Sequence, residues 1–437
     1  MRTTFLCLTC FCGLAAVLIY LTSAKFPTFP SHHRSVHSLW SGDDAKATPE
    51  PVHVPVPSVK DDEARGSTHA EWQFDYARDA RNYGLSHEQC SSAFPLLYKE
   101  IDRAVEHRRG NKIDVSEVDT AWRGDGIVRA MIYKNQLYII ENRGVWDGNH
   151  RPRSIATLHA LHRAITAYSG PLPNIEFTIT DHDSAYFGEN THQTTWAYAR
   201  LPSSSNLWLM PDFGYWGWPD VGLRSVDVAA RDVRAKLLQH SSDKGWSDVR
   251  ALDWRNETDI KAHLLGMEEH CAYMFVAQTE GNTYSGRLKF LLNCRSVLVS
   301  HRLEWVEHFH HLLRPDGPER NYALVKRDFS DLDATISSLL SPKGLREAER
   351  IAENARKVFR ERYLTPAAEA CYWRKLIQGW SEVQGFETEF WKEVEVERLG
   401  RKKAVRKPRG VPFEAYVIME AVGWEIPTKP RKICEYE

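Results

Sequence analysis

Ile175-Glu176-Phe177-Thr178-Ile179-Thr180-Asp181-His182-Asp183 is the stretch whose reading decides the fold class. Its first six residues include the β-branched and aromatic types that suit a buried strand, and the run stops at two aspartates flanking a histidine. Upstream, Ser154 to Ser169 carries Ile155, Leu158, Leu161 and Ile165 at helical spacing. A helix followed by a strand marks an α/β unit, and such units collect ligands at the carboxyl ends of their strands. Asp181 and Asp183 stand at such an end. By spacing alone, Asp-x-Asp is open to three readings. It could hold a divalent cation, it could supply a general base, or it could cap a turn.

Working outward, Ile127 to Ile140 alternates as a β-hairpin with Lys134-Asn135-Gln136 as its turn, and Thr68 to Arg109 reads as helices. The second half repeats the theme. Strands are expected over Ala272 to Ala277, Ser296 to Ser300 and Tyr322 to Val325, with a helix from Ser285 onward. Ser330-Asp331-Leu332-Asp333 fits a capping box. Long helices follow from Pro342 to Arg362 and from Pro366 to Val383, the second with proline in its first turn. Strands separated by helices predict parallel sheets, and two such units predict a cleft between them.

Two further segments bear on chemistry. Glu280-Gly281-Asn282-Thr283-Tyr284-Ser285-Gly286-Arg287 follows a strand and opens a helix. Such a turn offers backbone N–H groups and a guanidinium to an anion, although an ordinary glycine turn reads the same way. Pro211-Asp212-Phe213-Gly214-Tyr215-Trp216-Gly217-Trp218-Pro219 is an aromatic loop, suited to sugar faces or to the core. The 437 residues hold 57 basic and 58 acidic side chains, and 42% are hydrophobic. That balance excludes a disordered chain and a multi-span membrane protein, and it leaves no excess positive charge for nucleic acid.

Thr3 to Ala24 forms 22 consecutive uncharged positions between Arg2 and Lys25. As a helix it would span about 33 Å, so residues 1–24 are expected to be a signal-anchor transmembrane helix, with a cleaved signal as the alternative. Residues 25–67 carry six prolines and read as a stem. Anchor, stem and large body together suggest a single-pass type II Golgi membrane protein, with secretion or the endoplasmic reticulum lumen as alternatives. Cys90, Cys271, Cys294, Cys371 and Cys434 are too widely spaced for a zinc cluster and suit two disulfides and a leftover thiol. Asn256-Glu257-Thr258 is a glycosylation sequon.

Taken together, these pieces resemble a known family. The run from His270-Cys271-Ala272-Tyr273 through Glu280–Lys289 to Cys294-Arg295-Ser296-Val297 is similar to the signature of the fungal capsule-associated-protein glycosyltransferases and the animal Rumi-type protein O-glucosyltransferases, glycosyltransferase family 90. Cys90 with Ala93-Phe94-Pro95, Trp305-Val306-Glu307-His308-Phe309, Asp328–Leu332 and Cys371-Tyr372-Trp373 match as well. The resemblance implies a GT-B fold of two Rossmann-like domains facing a cleft. The acceptor domain would occupy residues 68–205 and the donor domain 206–385, followed by a C-terminal extension over 386–437. It implies inverting transfer of xylose or glucose from a UDP-sugar to a hydroxyl of a polysaccharide or glycoprotein, without metal or other cofactor. By the same resemblance Asp183 is the general base and Asp181 its reserve. Asn282, Thr283, Tyr284, Ser285, Gly286 and Arg287 form the donor turn, with Arg287 and the helix end on the diphosphate. Trp216 and Trp218 lie on the acceptor side, and Cys271 pairs with Cys294 and Cys90 with Cys371.

One departure stands against this pattern. The family carries an aromatic-Arg-Gly segment after the aromatic loop, and none lies between Gly222 and Gly245; Trp122-Arg123-Gly124 is far upstream. The expectation is a gene model lacking an exon near 223–245. The alternative is an inactive member acting as a sugar-binding or scaffold protein.

Overall fold

The computed structural model describes residues 72–120, 126–143, 145, 150–183, 194–218, 223–231, 266–281, 283–398 and 401–421. The expected anchor, the stem, Asn256, Asn282 and Cys434 lie outside the described residues, as do most of 223–245 and the side chain of Trp218. Among the described residues no helix is long and apolar enough to cross a membrane.

The α/β class is present. One sheet has six strands: β1 (Ile127–Tyr133), β2 (Gln136–Arg143), β3 (Ile175–Thr180), β4 (Thr195–Ala197), β5 (Leu207–Leu209) and, late in the chain, β13 (Val411–Pro412). Their order is β13-β2-β1-β3-β4-β5. This sheet is mixed rather than parallel, which corrects the expectation. β1 runs antiparallel to both β2 and β3, while β4 and β5 continue parallel to β3. The tight hairpin reverses the chain locally, so β1 enters the sheet against its central strand. The hairpin turn is Lys134-Asn135, both at positive φ (51° and 60°), the backbone that matches strand twist in a two-residue turn.

A second sheet contains β8 (Phe275–Gln278), β9 (Val297–His301) and β10 (Ala323–Val325), all parallel, in the order β10-β9-β8. Between the sheets in sequence lies a short ribbon, β6 (Gly217–Trp218) with β7 (Leu223–Arg224). After them an exposed ribbon forms from β11 (Trp391–Arg398) and β12 (Arg401–Pro408).

β3 is buried on both faces. Ile175, Phe177 and Ile179 take one face, where Phe177 stacks on Trp196 at 3.9 Å. On the other, Glu176 is held by Arg129 and Arg409 and Thr178 bonds Thr195, so its polar groups are satisfied in place. The Pro366–Val383 helix agrees with expectation, with Thr365 capping it. It packs on the first sheet: Trp380 lies 5.1 Å from Trp208 and 5.7 Å from Trp196, and its indole N–H donates to the Glu176 carbonyl. Both anticipated disulfides form, Cys90–Cys371 and Cys271–Cys294. The first closes this helix onto the His87–Ala93 helix.

Several helix expectations need correction. The expected 154–169 helix runs His150–Thr166, one turn earlier at its start. The 342–362 helix is α-helical only over Gly344–Ala355 and continues as a π-turn over Arg356–Tyr363. No capping box forms at Ser330–Asp333, because Asp331 bends back to accept from the Lys326 amide. The helix after the Glu280–Arg287 turn is a single turn, Leu288–Leu291, too short to present a useful dipole.

Candidate active site

The first turn of the His150–Thr166 helix grips the Asp181–Asp183 turn. His150, Arg153 and Ser154 fall on one helix face at i, i+3 and i+4. His150 Nδ1 bonds Asp181 Oδ1 (2.6 Å), and Ser154 Oγ donates to Asp181 Oδ2 (2.6 Å). Arg153 donates to Asp183 Oδ1 at 2.9 Å. The two aspartates therefore differ sharply. Asp181 is fully buried and its carboxyl is raised by burial, against the opposing pull of Ser154 and His150. The Asp183 side chain is 51% exposed. Gly126, at φ +74°, leaves the space this arrangement needs, since a Cβ there would run into Asp181 Oδ1 and His150 Nδ1.

Among the described residues, His150, Asp181 and His182 place one potential metal-ligand atom each within 4.8 Å of one another. The 2.6 Å between His150 Nδ1 and Asp181 Oδ1 is a hydrogen-bond separation. Two ligands of one tetrahedral ion with bonds near 2.0 Å stand about 3.3 Å apart. Those two atoms are arranged as donor and acceptor.

The second element of the site is the segment before Leu288. Thr283 and Tyr284 are buried, and Arg287 is half-buried. Arg287 reaches Thr279 Oγ1 at 3.5 Å and has no carboxylate partner among the described residues. Burial alone pulls its guanidinium below the usual arginine value. A desolvated cation without a counter-charge is costly, and an anionic ligand relieves it. Tyr284 connects the two sides. Burial pushes its phenol well above the ordinary value, and the charges of Asp212, Glu307 and Asp183 push it further. The charge of Asp183 is thus among those felt by Tyr284, in the turn that carries Arg287.

Trp216 remains 37% exposed, with its ring stacked on His159 at 4.5 Å and the Arg163 guanidinium 5.0 Å from its centroid. It flanks the same helix that holds Asp183.

Several site residues are not singled out by the motifs of the sequence. Glu280 opens the turn, yet its Oε1 accepts from the Glu304 and Trp305 amides (2.8 and 2.7 Å), so it splints the turn to the end of β9. Gln278 donates to the Ser285 carbonyl at 3.4 Å, and its own buried oxygen has no partner among the described residues. At the carboxyl ends of β9 and β10 lies a cavity of about 930 Å³, walled by Leu303, Val306 and Leu324 and rimmed by Arg302, Lys326 and Arg327. Such strand-end positions are where α/β sheets bind ligands, and a search for cations just after each strand could have found them. His150 and Ser154 could have been found from their helical spacing with Arg153.

The profile of the family described as Glycosyl transferase family 90 matches residues 86–248 and 229–410. The chain belongs to that family. The two parts of the match overlap at 229–248, within the stretch that lacks the aromatic-Arg-Gly segment. Similar proteins include O-glucosyltransferase rumi of Drosophila pseudoobscura pseudoobscura, 26% identical over 166 residues, or 37% of this chain and 38% of the relative. Protein O-glucosyltransferase 1 of Rattus norvegicus is 30% identical over 145 residues, 33% of this chain and 34% of the relative. An O-glucosyltransferase rumi homolog of Anopheles gambiae is 29% identical over 134 residues, 30% of this chain and 33% of the relative. The aligned stretch covers little more than a third of the length of each.

Proposed function

We propose that this family 90 member is an inverting glycosyltransferase that moves glucose or xylose from a UDP-sugar to a hydroxyl of a glycoprotein or polysaccharide. What carries the reading is Arg287, half-buried and without a carboxylate partner among the described residues, in a turn whose Tyr284 feels the charge of the half-exposed Asp183. Asp183 takes the proton of the acceptor hydroxyl. The oxygen attacks the anomeric carbon while the carbon–phosphate-oxygen bond breaks, and its electron pair leaves with the diphosphate. A single displacement converts an α-linked donor into a β-linked product. Arg287 and the Asn282–Gly286 backbone receive the developing charge, so the reading requires no metal. Asp181, sealed under His150 and Ser154, holds the Asp183 turn in place. The nucleoside fits the cavity at the ends of β9 and β10, and Trp216 and Trp218 border the acceptor. In this reading the two sheets are the cores of two GT-B lobes.

We place the protein in the secretory lumen, anchored in the Golgi membrane by residues 1–24. Two disulfides suit an oxidising compartment. The relatives' names support glucosyl transfer to protein. A second reading, a noncatalytic sugar-binding or scaffold protein, draws on one observation, the missing segment between Gly222 and Gly245.

The test uses the full chain in detergent with UDP-glucose and UDP-xylose. Calorimetry should detect UDP binding, Arg287→Met should weaken it about tenfold or more, and slow sugar release from one donor should be measurable. UDP binding with no turnover of either donor on any acceptor would favour the scaffold reading. Absence of UDP binding would remove both the donor turn and the transferase.

A further inference from the structure

The most enclosed ion pair bearing on the site joins its two sides. Lys289 Nζ meets Asp212 Oδ2 at 2.5 Å, and both side chains are only 2% exposed. Asp212 belongs to the aromatic loop after β5, and Lys289 follows the donor turn, 77 residues later. The same ammonium donates to the Gly286 carbonyl at 2.6 Å, inside the turn that carries Arg287. Asp212 uses its other oxygen to accept from the Gly214 amide at 2.8 Å, which fixes the Phe213–Tyr215 turn just before Trp216.

One glycine makes room for this knot. A Cβ on Gly214 would run into Lys289 Cε, whereas a Cβ on Gly286 would sit in ordinary contact, 3.4 Å from both Asp212 Oδ2 and Lys289 Nζ. The pair is shut off from solvent, and the charge of Asp212 is among those pushing the buried phenols of Tyr198, Tyr215 and Tyr284 upward. A buried ion pair is seldom an efficient source of stability, since apolar residues of similar size often serve as well or better. What apolar residues cannot do is hold a carbonyl on one segment and a carboxylate on another at fixed distance.

We propose that Lys289 and Asp212 are positioning residues. They hold the Gly286 carbonyl so that the donor turn keeps its shape, and they tie that turn to the Trp216 loop so that an occupied donor site orders the acceptor side. The inference rests on the donor assignment above and adds a coupling between donor and acceptor elements.

The experiment replaces both charges, Lys289→Met with Asp212→Leu, in the full chain. UDP is the probe, followed by calorimetry and by hydrogen exchange over residues 213–217, with thermal melting as the control. In the unsubstituted protein, UDP binding should slow exchange in that loop. The double variant should melt cooperatively near the parent temperature, bind UDP about tenfold or more weakly, and show no slowing in the loop. Should the double variant fail to fold, Gly214→Ala displaces Lys289 while keeping both charges, and the same losses are expected. A folded variant with parental UDP affinity and parental loop protection would reduce the pair to packing. No UDP binding by the parent would instead sink the donor assignment, and this inference with it.

Discussion

Two aspartate–cation pairs belong to the candidate site, and they differ in almost every respect but charge. Asp212–Lys289 is sealed, with 2% exposure on either side and a 2.5 Å contact. Asp183–Arg153 is open, with exposures of 51% and 19% at 2.9 Å. The sealed pair is linked to backbone at both ends, through the Gly214 amide and the Gly286 carbonyl. The open pair leaves carboxylate surface available to a substrate. Under the proposed transfer the sealed pair acts through geometry and the open one through chemistry, and substitutions should separate rate effects from folding effects along that line.

The largest rate effect is expected from the open side. Asp183→Asn should lower turnover by about 10²–10⁴-fold, the usual contribution of a positioned base, while UDP affinity stays within about twofold of the parent. Sugar transfer measured beside calorimetry checks it. Turnover within a few-fold of the parent would take Asp183 out of the reaction.

On the sealed side the order inverts, with stability responding first. Asp212→Asn leaves the Lys289 ammonium buried without its counter-charge, so the folded state should lose about 3–5 kcal/mol in urea denaturation. A loss under about 1 kcal/mol would mean that water or rearrangement reaches this pair, and the contrast between the two sides would disappear.

The sealed side should also resist any additional charge, and pH tests this. His308 is fully enclosed beside Tyr215 and Tyr372, and burial holds its imidazole well below the usual 6.5, with His310, His311 and Lys289 adding repulsion. In the unfolded chain the same histidine takes a proton near pH 6.5, so the unfolded state binds more protons and stability falls as pH drops below that value. One such group accounts for about 1.4 kcal/mol per pH unit below 6.5. His311, His270 and His159 are depressed by burial in the same direction and add to the slope. His308→Gln should flatten the melting-temperature profile between pH 6.5 and 5.5 by one proton's share, and an unchanged profile would show that His308 reaches solvent.

The sequence was most informative where structure is local. The Pro366–Val383 helix carries its own start signals, a capping threonine and a first-turn proline, and it appears where expected. The Ile175–Thr180 strand and its aspartate end are equally plain, because a run with few competing helix signals needs no distant partner to be recognised. Sheet direction was not legible. The position of β1 between β2 and β3 depends on which strand it meets in space, and an alternating pattern does not encode that. The capping box at Ser330 failed for a related reason, since Asp331 found the Lys326 amide, a partner five residues back that the motif does not include. Of the site, the two turns could be located, but not what distinguishes Asp181 from Asp183. The burial of Asp181 comes from a helix 31 and 27 residues earlier in the chain, through His150 and Ser154. Asp212 with Lys289 was the least legible of all. Lysine in a signature reads as surface charge, and only the fold shows that Gly214 has cleared the space for it.

The smallest expected stability effect closes the contrast. Arg153→Met removes the cation of the open pair, and half of Asp183's surface remains in water to solvate the charge left behind. Exposed pairs of this kind contribute about 0–1 kcal/mol, and the aliphatic part of methionine can keep the contact with Phe213, whose ring lies 5.4 Å from the guanidinium. Urea denaturation should therefore register a loss of no more than about 1 kcal/mol, several-fold below that of Asp212→Asn. Under the proposed transfer turnover should fall more than stability does, because Arg153 holds Asp183 Oδ1 and so sets the direction of that carboxylate. If Arg153→Met instead destabilised the chain as much as Asp212→Asn, the open pair would be part of the scaffold, and Asp183 would be held for folding rather than presented for proton transfer.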